Sequence, residues 1–140
     1  MKSYKKDDLH YLKKNSICTT SEMKLYNILS NQIQDKYPNK YIVLPQISLY
    51  EIVKMTKFSW SDFWRIKSKC IDFVICKKET LQPVYAVELQ DDSHNKKERQ
   101  KRDILLEDIF EIAWLKFAQV EWYDDKKSIN DILNNLSYAH

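Results

Sequence analysis

Glycine is absent from all 140 residues. Phosphate-cradling loops and dinucleotide-binding turns need it, because only a residue without a Cβ lets the backbone approach a phosphate closely. P-loop and Rossmann-type chemistry are therefore excluded. Cysteine is scarce: Cys18, Cys70 and Cys76 are the only three. An odd number with no CxxC spacing makes neither a disulfide framework nor a zinc site. Cys70 and Cys76 fall in an apolar, strand-like run and are expected to be buried. This cysteine usage fits a reducing, cytoplasmic compartment. Long hydrophobic runs are also lacking, so neither a membrane span nor a signal peptide is expected. There is no repeat and no low-complexity tail.

What the chain does have is a balance of 44% hydrophobic and 31% charged residues, which suits one compact domain of this length. The charged opening of the chain predicts a flexible N-terminus over residues 1–15 and a single domain over 16–140. The formal net charge of +3 neither requires nor excludes nucleic acid. Its distribution says more, because Lys96, Lys97, Arg99, Lys101 and Arg102 put five cations into seven residues.

Alternation and spacing predict an α/β fold. Thr19 and Glu22 have capping-box spacing ahead of a helix from Thr20 to Tyr37, with Leu25, Ile28, Leu29 and Ile33 on its apolar side. Pro38-Asn39 breaks it. Tyr41 to Gln46 reads as a strand whose pairing Pro45 limits. Leu49 to Met55 reads as a short helix. Thr56 to Lys69 fits a loop or a short helix, with Trp60, Phe63 and Trp64 expected to pack as anchors rather than to stack on bases. Cys70 to Cys76 and Val84 to Leu89 are β-rich runs joined by a turn, hence an antiparallel hairpin. Asn95 to Ala113 reads as a long helix with Ile104, Leu105, Ile109 and Ile112 on its apolar stripe. Trp114 to Trp122 reads as a last strand and Ser128 to Tyr138 as a last helix capped by Ser128. Such a mixture packs as a central mixed sheet flanked by helices.

Two residues break the pattern. Asp72 lies inside one apolar strand and Glu88 near the end of the next. A carboxylate there is costly unless a cation or several donors meet it. For one such residue, pairing with a lysine or arginine at a strand end would suffice. Two on consecutive strands, followed by the polar run Gln90-Asp91-Asp92-Ser93-His94, favour a divalent cation, since Mg²⁺ is commonly held by one or two carboxylates with water and phosphate oxygens.

Asp72-Phe73-Val74, then Val87-Glu88-Leu89-Gln90-Asp91-Asp92-Ser93-His94, then Arg99-Gln100-Lys101-Arg102-Asp103, resemble the DUF2726 family. Thr20-Ser21-Glu22 and Leu44-Pro45-Gln46 are similar to it as well, so the likeness runs from about Ser16 to Val120. The family is a branch of the PD-(D/E)XK, or restriction-endonuclease-like, superfamily. The resemblance implies an αβββαβ core and a metal-dependent nuclease hydrolysing DNA phosphodiester bonds with Mg²⁺ or Mn²⁺. It implies that Asp72 and Glu88 bind the metal and that Gln90 takes the third place of the active triad, where the superfamily usually has lysine and this family often aspartate. Glutamine can orient a water but brings no charge. His94 is expected as a general base or a hydrogen-bond donor. Glu22 has two readings, an approach to the metal or the capping box. Lys97, Arg99, Lys101 and Arg102 are the expected nucleic-acid contacts, with Arg102 or Asp103 alternatively bracing the carboxylates. The competing expectation is a module that keeps the fold, binds nucleic acid or protein, and has lost the chemistry. Relatives in the superfamily often dimerise, which leaves a homodimer open.

Overall fold

The structure, a computed structural model, describes residues 1–90 and 96–137. Residues 1–15 are exposed and carry a single 3-10 turn at Lys6–Asp8. The ordered fold then runs α1 (Thr20–Lys36), β1 (Tyr41–Ser48), α2 (Leu49–Ile52), α3 (Trp60–Lys67), β2 (Cys70–Lys77), β3 (Pro83–Leu89), α4 (Lys96–Ile112), β4 (Lys116–Val120) and α5 (Lys126–Leu136). The sheet order is β1-β2-β3-β4. The first three strands pair antiparallel, and β4 returns parallel to β3 after α4. A parallel return needs such a crossover helix. β1 is therefore an edge strand, where Pro45 is tolerated opposite Phe73.

The sheet is covered on both faces. Leu25, Leu29 and Ile33 of α1 and Ile129, Ile132 and Leu136 of α5 pack with Phe73, Ile75 and Val87 on one side. Leu106 and Phe110 of α4, with Leu49 and Ile66, pack with Ile71, Val74 and Ala86 on the other. Each fully buried aliphatic side chain contributes on the order of 2 kcal/mol. Burial on both faces explains why β2 and β3 read as continuous apolar runs rather than alternating ones. Among the described residues no helix is long and apolar enough to cross a membrane.

Several expectations are corrected. The stripe of α4 is rotated: Ile104 is 59% exposed and Ile112 also faces solvent, while Leu106 and Phe110 are buried. Four-residue spacing carries that buried face back to Arg102, which aims it at the end of the sheet. Of the two readings of the segment after α2, the short helix holds: α3 is capped by the Ser59 hydroxyl, which accepts from the Asp62 amide. Trp60 and Trp64 do not pack into a core; they are 67% and 60% exposed. Cys70 is exposed because it opens β2 at the sheet's end, whereas Cys76 is buried. The last helix is capped by Asp125, not Ser128. The amide and hydroxyl of Ser128 both donate to the Asp125 carboxylate and hold its pKa below the usual range. The last strand is shorter than its apolar run, because Trp122 and Tyr123 belong to the turn that follows.

The missing glycines leave a mark on the backbone. Asn39, Gln46, Leu81 and Trp114 all have positive φ. Trp114 follows α4 in the position that closes a helix with paired reverse bonds. Its amide donates to Glu111, and the Leu115 amide donates to Phe110. Glycine usually takes that left-handed place.

Candidate active site

Strand register sets four polar residues in one row across the sheet. Glu88 is paired with Gln119 of β4. Phe73 is paired with Val87, and continuing that ladder by one residue sets Asp72 opposite Glu88. Gln46 falls opposite Asp72, between the pairs Pro45–Phe73 and Ile47–Ile71. It departs from the ladder with φ of 55°. The row Gln46–Asp72–Glu88–Gln119 thus crosses all four strands where the flanking rows are apolar.

Asp72, Glu88 and Gln119 of the row line a cleft of about 720 Å³. The start of α1 contributes Thr19, Ser21 and Glu22 as one wall. The first turns of α4 contribute Glu98, Arg99, Arg102 and Asp103 as the other. The ends of β3 and β4 add Gln90, Glu121 and Trp122.

Glu88 is 6% exposed and is the only buried charged residue among the described residues. Arg102 Nη2 donates to its Oε1 at 2.8 Å and to the Cys70 carbonyl at 3.1 Å. Asp72 is half-buried and accepts the Leu89 amide on Oδ2 at 2.9 Å. Burial and the facing Glu88 carboxylate push its pKa up to about 8, against the opposing pull of the Leu89 amide. Two carboxyls in such contact need a shared proton or a cation between them.

Glu22 makes the capping box and also stands beside Asp72. Its Oε1 accepts the Thr19 amide at 2.7 Å, while the Thr19 hydroxyl accepts the Glu22 amide at 3.2 Å, closing the capping box. Its Oε2 accepts from Gln46 Nε2 at 3.0 Å, and its carboxylate also reaches Asp72. Gln90 lines the cleft and donates from Nε2 to Gln119 Oε1 at 3.0 Å, with its amide fixed by the Val120 carbonyl.

Arg99 and Arg102 line the cleft, while Lys97 and Lys101 are exposed on the outer part of α4. His94 lies outside the described residues.

The model of the family described as a protein of unknown function, DUF2726, matches residues 14–136. The chain belongs to that family. No curated protein and no solved structure matches it. The matched span of the DUF2726 chain contains every residue of the polar row.

Sequence reasoning missed Gln46 and Gln119, the outer members of the row. The available signal was the hairpin register: once Asp72 is set opposite Glu88, the neighbouring strands must present a residue on each side. It also missed Glu121 and Trp122, which come from the turn after β4.

The donors suit a hard cation. Among the described residues no group of three or more His, Cys, Asp and Glu side chains is disposed to hold a metal by itself. Two carboxylates with space for water and phosphate oxygens are nevertheless the ordinary provision for Mg²⁺. A phosphodiester would also need one, because the cleft offers two arginines against six carboxylates.

Proposed function

We propose that this DUF2726 chain has a restriction-endonuclease-like PD-(D/E)XK core and is a divalent-cation-dependent nuclease that hydrolyses DNA phosphodiester bonds. The observation that carries the reading is the facing of Asp72 and Glu88 on adjoining strands, with the Asp72 carboxyl pushed up to about 8. The element order α1, β1, β2, β3, α4, β4 also agrees with an αβββαβ core, α2 and α3 being an insertion between β1 and β2.

Asp72 and Glu88 would hold Mg²⁺ or Mn²⁺. Bound there, the ion would polarise a phosphodiester oxygen and assist deprotonation of the attacking water. The Leu89 amide and the Arg102 guanidinium each hold one of the two carboxylates in place, so little reorganisation is needed on binding. Glu22, tied to Gln46, adds negative charge beside Asp72. Because the Gln90 amide nitrogen is committed to Gln119, its carbonyl oxygen remains to orient the water. Arg99 on the cleft wall meets the scissile phosphate, and Lys97 and Lys101 attract the DNA backbone from outside.

The test is cleavage of plasmid and linear DNA with Mg²⁺ or Mn²⁺ by the wild type, Asp72→Ala and Glu88→Ala. Loss in both variants is expected. Activity unchanged in both overturns the assignment.

A second reading is a nucleic-acid-binding module without turnover. It is favoured by one observation: the triad position is the neutral Gln90, and Arg102 of the cleft is committed to Glu88. Calorimetry separates the two. No heat with Mg²⁺ or Mn²⁺, together with salt-sensitive DNA binding, selects the module.

A further inference from the structure

Outside the cleft, α2 and α3 expose an aromatic surface that the proposed chemistry leaves unused. Tyr50, Phe58, Trp60 and Trp64 are each between 45% and 67% exposed. They gather around Phe63. Tyr50, Trp60 and Trp64 have ring centroids 5.3, 5.8 and 5.2 Å from its ring, all near perpendicular to it. Phe58 meets Trp60 edge-on at 4.9 Å. In edge-to-face contacts the edge of one ring meets the face of another, and the cluster still leaves Trp60 and Trp64 67% and 60% exposed.

The surroundings are basic. Between Tyr50 and Lys69 stand Lys54, Lys57, Arg65, Lys67 and Lys69, with Glu51 and Asp62 as the acids. That excess of three equals the net charge of the whole chain. Asp62 is paired with Arg65. Lys67 lies over the rings of Phe63 and Trp64, at 5.0 and 5.7 Å from their centroids.

The surface also adjoins the cleft. Lys69 Nζ donates to the Arg65 carbonyl at the end of α3, and the next residue, Cys70, offers its carbonyl to Arg102 of the cleft wall. Burial and the positive charges of Arg102 and Arg65 all disfavour the Lys69 ammonium. An anion passing between the cleft and α3 would relieve that crowding.

We propose that the exposed rings of Trp60 and Trp64, with Lys67 and Lys69, form a stacking platform for the unpaired bases of a nucleic-acid strand continuing out of the cleft. This rests on the nucleic-acid substrate proposed above and deepens it to single-stranded or frayed-end DNA. Open aromatic faces interleaved with cations suit such a strand because every base has a π-face and every linkage a negative charge. An anionic lipid surface or an acidic protein would draw on the same cations, but neither gives a reason for the patch to adjoin the cleft through Lys69 and Cys70.

The experiment measures binding of a labelled short oligothymidylate to the full chain in EDTA, at several salt concentrations, by anisotropy and by tryptophan emission. The wild type is compared with the double variants Trp60→Ala/Trp64→Ala and Trp60→Phe/Trp64→Phe, and a blunt duplex is the second ligand. Both tryptophans are exposed, so neither substitution opens a cavity, and circular dichroism checks the fold. Expected are salt-sensitive binding with quenched emission, preference for the single strand, and loss of the quench in the alanine pair. Affinity should fall on the order of tenfold per tryptophan and be restored by phenylalanine. Equal affinity of wild type and alanine pair, or equal binding of blunt duplex, overturns the platform and leaves the nuclease reading standing if DNA is still cleaved. Absence of any binding to either ligand at low salt overturns the nucleic-acid premise and the platform with it. A dimer of the wild type that the alanine pair converts to monomer, with oligothymidylate affinity unchanged, overturns the platform in favour of self-association.

Discussion

Arg102 donates from Nη2 to Oε1 of Glu88 at 2.8 Å, and Glu88 is almost wholly out of solvent. The guanidinium is the nearest counter-charge to that carboxylate, and it enters on the same face of α4 that buries Leu106 and Phe110. Removing it strands a buried charge, which is more damaging than the pair is stabilising. Arg102→Leu should therefore destabilise the metal-free protein by about 2 kcal/mol, below the figure for a fully buried pair because the arginine is one-third exposed. Glu88→Gln in the same chain should recover much of the loss. Urea unfolding of the two single variants and the double variant checks this. Additive losses would show that the pair is not coupled.

Asp72 gives a pH dependence with a definite sign. Its folded-state pKa, about 8, lies above that of an unfolded aspartate, about 4. Between these values the folded chain binds more protons than the unfolded one. The stability contributed by the protonated group is complete below about pH 4 and is lost as pH rises toward 8. Thermal melts of the metal-free wild type and Asp72→Asn should diverge across that window, with the asparagine variant gaining relative stability at the alkaline end. Because a cation must displace the shared proton, Mn²⁺ affinity should rise from pH 6 to pH 8 and binding at pH 7 should release a proton. Calorimetry in two buffers of different ionisation enthalpy reads that release. Identical heats would count against a protonated Asp72.

The fold was legible where burial and pattern agree. Two-faced burial makes β2 and β3 apolar throughout, so the hairpin and its two carboxylates stood out. The αβ order followed from helices that carry recognisable stripes and caps. What stayed illegible depends on register and on neighbours distant in the chain. Gln119 is an ordinary strand residue until β4 is known to run parallel to β3 with Glu88 beside it. The stripe of α4 was misplaced because Ile104 and Ile112 look like core residues, whereas the helix buries Leu106 and Phe110 on the face that carries Arg102. Trp60 and Trp64 were expected to pack because large aromatics usually do, and no local pattern distinguishes an exposed platform from an anchor.

Gln90 is the residue on which turnover would hinge in the proposed nuclease. Its amide nitrogen is held by Gln119 at 3.0 Å, so its carbonyl has a fixed direction. Gln90→Ala should lower kcat of DNA cleavage roughly a hundredfold, in line with loss of one pre-aimed polar group. Mn²⁺ affinity, which the proposal assigns to Asp72 and Glu88, should stay unchanged. Gln119→Ala should show a weaker form of the same split, since it releases Gln90 without removing it. Parallel loss of metal binding and turnover in Gln90→Ala would assign the residue to the cation rather than to the water.

Trp114 carries the consequence of a chain without glycine. It closes α4 with φ of 58° and its side chain is 93% exposed, so the indole adds little packing to offset the left-handed backbone. A residue with a Cβ loses about 1 kcal/mol in that region relative to glycine. The reverse bonds from Trp114 to Glu111 and from Leu115 to Phe110 use backbone alone and survive substitution. Leu115 still packs beside Phe110. Trp114→Gly should therefore stabilise the protein by about 0.5–1 kcal/mol, raising Tm by roughly 2–4 °C. Trp114→Ala, which keeps the Cβ, should give no such gain. A fall in Tm for the glycine variant, measured by calorimetry beside the alanine control, would mean that the exposed indole holds a contact worth more than the relief of its backbone.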